Sequence, residues 1–125
     1  MDKKELLSNL LSVDIFKKDV FRDEISGIDF ELDVNFNLNN MVKDFKNSER
    51  DIPKYKRFVV DGEQHLMENE TIEMCYRCYQ HVVNPKLEME DWLLLSLTRG
   101  DLIMSLSGRI AELTIGQLEK NEVKD

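Results

Sequence analysis

The sequence predicts an α+β fold, with an N-terminal antiparallel β-hairpin packed against a mostly helical C-terminal half, and three observations carry the prediction. Residues 28–36 read Ile-Asp-Phe-Glu-Leu-Asp-Val-Asn-Phe, a strict alternation of apolar and polar side chains that is the period of a half-buried strand. From Asn69 onward the apolar residues recur every three or four positions, the period of amphipathic helix. At 125 residues the chain has the length of one domain, so 1–125 is read as a single unit.

The first element expected is a helix over 3–12, in which Leu6, Leu7, Leu10 and Leu11 share one face. That face can dock on the domain's own core or serve as a detachable arm, and core docking is the reading preferred. The hairpin follows over Val20–Phe36, turning at Ser26-Gly27, where glycine tolerates positive φ. Its Ile28, Phe30, Leu32, Val34 and Phe36 side is expected against helices, because a lone hairpin is marginal in water, and its Asp29, Glu31 and Asp33 side faces solvent. Asn39 or Asn40 can cap a short helix through Phe45, with Leu38, Met41, Val42 and Phe45 on one side. Residues 55–67 fit a second hairpin turning at Asp61-Gly62 about as well as a loop followed by helix.

Asn69 is expected to cap a helix over 70–83 whose stripe is Ile72, Cys75, Tyr76, Tyr79 and Val83, ended by Asn84-Pro85. A helix over 88–97 contains the run Trp92-Leu93-Leu94-Leu95, apolar on more than one face. The last helix starts near Gly100 or Asp101 and carries Leu102, Ile103, Leu106, Ile110 and Leu113. Gly116 weakens it, and the charged tail 117–125 is expected to fray.

Hydrophobic residues at 42% are too many for a disordered chain, and charged residues at 34% are too many for a membrane protein. The longest apolar run is four residues, whereas a spanning helix needs about 20. The opening residues lack a leader's uninterrupted apolar stretch, and two cysteines three positions apart make no disulfide framework, so a reducing cytoplasm is expected. Net charge is −8 and unevenly spread: residues 61–91 hold eight acids against two bases, residues 38–60 six bases against three acids. Such acidity disfavours nucleic acid and anionic membrane as partners, and the single basic cluster, Lys54, Lys56 and Arg57, is small for a nucleic-acid footprint.

No glycine-rich phosphate loop, nucleophile elbow or HExxH occurs, and acids alternating with apolar residues are what any solvated sheet face looks like; no enzyme and no cofactor are expected. Cys75-x-x-Cys78-x-x-His81, with His65 upstream, has the residue types of a zinc shell. On a helix, however, the third of these points roughly 120° away from the first. The cysteines are therefore read as core, with Cys78 partly exposed, and no metal site is assigned. For binding, the sequence singles out Met89, Trp92, Leu93 and Leu95, joined by Leu102, Met104 and Leu106 of the following helix, as more apolar surface than one core covers. A protein partner or another copy of the chain is expected there, with ordinary core an equally open reading for Trp92 and its neighbours, since aromatic anchors dominate interfaces and cores alike.

Taken in order, these phrases resemble a family. The opening ELLSNLLSVD, the phrase GIDFELDVNF, the helix leading to Val82-Val83-Asn84-Pro85-Lys86-Leu87, the pair Gly100-Asp101 and the ending Ile110-Ala111-Glu112-Leu113 together look like the small tail assembly chaperones of phages and of prophages that make contractile phage-like tails. The likeness spans roughly residues 5 to 113. Similar proteins have Gly-Glu where this chain has Gly100-Asp101, and a longer insertion before it. The resemblance implies a non-catalytic protein of the bacterial host cytoplasm that coats the tape measure protein, helps tail tube subunits polymerise and leaves the finished tail. The alternative reading is an acidic phage-encoded or bacterial inhibitor that binds a host protein, for which the acids of residues 61–91 speak.

Overall fold

The structure, a computed structural model, describes residues 1–11, 16–35 and 38–122, with side chains at 1–11, 18–34 and 38–114. The chain is α+β, as the patterning predicts. The opening helix α1 (Lys3–Leu11) precedes the hairpin strands β1 (Phe16–Asp23) and β2 (Ile28–Asn35), and helix α2 (Leu38–Asp51) runs through a 3₁₀ turn (Ile52–Tyr55) into a second hairpin. That hairpin is β3 (Arg57–Val60) and β4 (Glu63–Leu66); then come α3 (Asn69–His81), the short strand β5 (Val82–Asn84), α4 (Met89–Thr98) and α5 (Gly100–Glu122). The main sheet has the order β1-β2-β5, all antiparallel, and β3-β4 stands apart from it.

Alternation does in β2 what the sequence predicts for its middle. Phe30, Leu32 and Val34 are buried, whereas Ile28, at the hairpin tip beyond the helices, is 48% exposed; Phe36 lies outside the described residues. Strand β1 starts four residues earlier than expected, pairing Phe16 with Asn35 and Asp23 with Ile28. The four-residue turn 24–27 is tied by the Gly27 N–H donating to the Asp23 carbonyl at 2.7 Å, with Gly27 at φ +74°. Residues 55–67 are the hairpin and not loop plus helix. Asp61 (φ +50°) and Gly62 (φ +79°) supply the two left-handed positions of a two-residue hairpin turn.

Helices α3, α4 and α5 cover the sheet. Ile72, Cys75 and Cys78 of α3, Trp92 and Leu93 of α4, and Leu102, Ile103, Leu106, Ile110 and Leu113 of α5 meet Phe30, Leu32 and Val34 in one core. Asn69 is the first helical residue of α3, and extended Glu68, not Asn69, is its cap. The helix also ends sooner than its stripe suggests, because Val82 pairs with Leu32 to make β5 and turns inward, leaving Val83 47% exposed. Glu88 and Asp91 cap α4 reciprocally, the Glu88 N–H donating to Asp91 Oδ2 at 2.9 Å. The backbone of α5 stays helical past Gly116 to Glu122, and residues 123–125 lie outside the described ones.

Two expectations about the first helices are overturned. α1 has the predicted span as far as Leu11, but none of its residues is buried, so it does not dock on the core. α2 is longer than expected and likewise buries nothing. The reason is room: α3, α4 and α5 already occupy the inner face of a three-stranded sheet.

Candidate partner-binding surface

Five of the seven residues singled out for binding belong to the core. Met89, Trp92, Leu93, Leu102 and Leu106 are each at most 4% exposed, so they present no outward surface. Trp92 packs on Phe30 with ring centroids 6.1 Å apart. Leu95 is half-buried against the same core, and only Met104, 66% exposed, faces out. The expectation failed because α4 is flanked by α3, α5 and the sheet at once, and a helix enclosed on several sides can be apolar on several faces without meeting a partner.

Stripes of exposed apolar residues lie at the other end of the chain, apart from dispersed ones such as Ile25, Leu66 and Met104. Leu6 and Leu7 of α1 are close to half exposed, and Leu10 and Leu11 are 62% and 80% exposed. On α2, Leu38 is 74% and Phe45 63% exposed, with Met41 and Val42 beside them at 39% and 45%. Spacings of three and four make each set a stripe along one helix face. Both helices spring from one end of the hairpin: Leu11 lies five residues before Phe16, Leu38 three after Asn35, and Phe16 pairs with Asn35. The sequence displays both stripes, and the expectation that the α1 face docks on the core does not hold.

The flank of this surface is polar and ordered. A cleft of about 440 Å³ between α2 and α3 is lined by Phe45, Glu49, Ile52, Tyr76, Arg77 and Gln80 among others. The Tyr76 hydroxyl donates to Asp51 Oδ2 at 3.0 Å, and the Arg50 guanidinium, helped by Lys54 and Tyr76, holds the Asp51 carboxyl well below the usual carboxylate range. Arg77 also donates to the buried Ser107 hydroxyl at 2.7 Å.

Charge also works on the inner side of the hairpin. Register puts Asp19, Phe21 and Asp23 of β1 across from Leu32, Phe30 and Ile28, so two carboxylates share the core-facing side with one aromatic ring. Each is met by an arginine. Arg99, between α4 and α5, donates to both Asp23 oxygens at 2.7 and 3.0 Å and also to Asp101, and Arg109 of α5 donates to Asp19 Oδ2 at 2.7 Å. The Arg99 guanidinium, followed by the Ser26 hydroxyl, holds the Asp23 carboxyl far below its ordinary range. These two pairs seat β1 on α5.

The thiols are inert by placement. Cys75 and Cys78 are fully buried, correcting the partial exposure expected for Cys78, and their Sγ atoms point at the Trp92 and Ile103 carbonyls. Burial pushes the Cys75 thiol up to about 11 and the Cys78 thiol up to about 12. His81 Nδ1 is 3.1 Å from the Asp33 carbonyl. Among the described residues no three His, Cys, Asp or Glu side chains gather to hold a metal ion, and no helix is long and apolar enough to cross a membrane.

No family model, curated protein or solved structure matches the chain.

Proposed function

We propose that this protein is a non-catalytic phage tail assembly chaperone, which binds tape measure and tail tube proteins in the bacterial host cytoplasm through the apolar faces of α1 and α2. The observation that carries the reading is the pair of stripes left in water. A monomeric protein rarely leaves apolar patches of more than a few hundred Å² uncovered, and patches rimmed by polar groups are used to meet other proteins. Binding an extended apolar helix and releasing it later requires such a surface and no reacting group. The likeness of GIDFELDVNF and of the Val82–Leu87 phrase to tail assembly chaperones supplies the class of partner.

The test is calorimetric titration of the full chain with a helical tape-measure segment and with tail tube subunits, at about 0.1 M and about 1 M salt, where exposed charges are screened out to a few ångströms. Binding that survives the higher salt with a negative heat-capacity change is expected, because apolar area is being covered. No binding to either protein overturns the proposal. Association with a DNA-binding host protein that vanishes at the higher salt would instead favour the acidic inhibitor, whose surface would be the exposed Glu63, Glu68, Glu70 and Glu73.

A further inference from the structure

We infer that α1 and α2 form the face on which a second copy of this chain docks in a two-fold dimer. Helix stability gives the first reason. α1 has nine residues and α2 fourteen, and neither buries one. Isolated helices shorter than about 12–15 residues are marginal in water, and although Asp44 and Asp51 tie α2 to α3, its stripe, like that of α1, is left uncovered.

Area and charge name the occupant. Eight large apolar side chains, exposed by 39% to 80%, are concentrated on these two helices at one end of the hairpin. A standard protein interface takes about 800 Å² and roughly 20–30 residues from each partner, and these eight are of a number and kind to form the apolar centre of one side. In a two-fold pair each face meets its own image, so the face must carry little net charge. The chain as a whole is at −8, yet α1 and α2 hold five bases (Lys3, Lys4, Lys43, Lys46, Arg50) against four acids (Glu5, Asp44, Glu49, Asp51). Two copies therefore repel through the rest of their surfaces and not through this one. A surface used solely for a foreign partner would be under no such constraint.

The inference uses the same face as the proposed function, and one set of measurements separates them. Sedimentation equilibrium of the full chain is expected to give a dimer. Replacing the two most exposed residues, Leu11→Lys with Leu38→Lys, should weaken dimerisation by roughly thirtyfold or more while the fluorescence of buried Trp92 stays native. If that variant loses the Trp92 signal, the milder Leu11→Gln with Leu38→Gln pair takes its place under the same criterion. A wild-type chain that is monomeric throughout, or a natively fluorescent variant that dimerises as tightly as wild type, overturns the inference. A monomer that still binds the tape-measure segment would sink the dimer and leave the chaperone standing; a dimer that binds neither tail protein would do the reverse.

Discussion

Asp23 sits on the inward side of an edge strand, 6% exposed, in a place where the neighbouring strand carries phenylalanine, leucine and valine. A carboxylate tolerates such a place only when its charge is paired and hydrogen-bonded, and Arg99 and Ser26 do both. Because the folded state lowers the pKa of Asp23, the pair stabilises the fold above the unfolded carboxylate value of about 3.9, and that contribution is lost as pH falls through it toward the lower folded value. Asp51 has the same sign. Denaturant titrations stepped downward from about pH 5 should show stability falling, with a shallower fall in the Asp23→Asn protein; identical slopes would mean that the pair does not form. Trp92 makes the opposite case of a residue that looks fit for binding and is core. Trp92→Ala should cost about 3–5 kcal/mol in urea unfolding followed by circular dichroism, a large share of a typical domain's stability. In the fraction that stays folded, association should be unchanged.

Elements were legible in proportion to how local their causes are. The alternation of β2, the Asp61-Gly62 turn and the three- and four-residue spacings of α3 and α5 are written in neighbouring residues, and each appears where its pattern lies. Strand β1 was cut short because Asp19 stands on its inner side where an apolar residue would continue the pattern, and the Arg109 that meets it is 90 residues away. Strand β5 is three residues held by pairing with β2, and Val83 fits the preceding helical stripe equally well on paper. Two of the three glycines with open space around them, Gly62 and Gly108, separate conformation from packing. Gly62 has nothing within 4 Å of an added Cβ but sits at φ +79°, so Gly62→Ala should destabilise by about 1 kcal/mol. Gly108 has the same space inside α5 with no such φ, so Gly108→Ala should stabilise by about 0.5–1 kcal/mol. Thermal melts of the two variants should move in opposite directions.

For the molecule as a whole, the sequence disclosed which segments are apolar on one side and not which sides would meet. Among the described residues, twelve buried hydrophobic residues on α3, α4 and α5 satisfy the sheet without help, and that count, legible in principle, leaves the leucines of α1 and the Leu38–Phe45 stripe of α2 at the surface. What could not be read is the competition among helices for one sheet face, since each stripe alone looks equally fit to win it. The arginine pairs add an order in time. Asp19 and Asp23 belong to the first strand, whereas Arg109 and Arg99 come 90 and 76 residues later. A chain emerging from the ribosome can form the hairpin early, since its pairing is local, but must carry Asp19 and Asp23 without these two arginines until the start of α5 and its third turn have been made. Strand β1 is thus fastened by residues made long after it, and a nascent chain halted before Arg99 would hold every described strand of the sheet and neither of the arginines that fasten it.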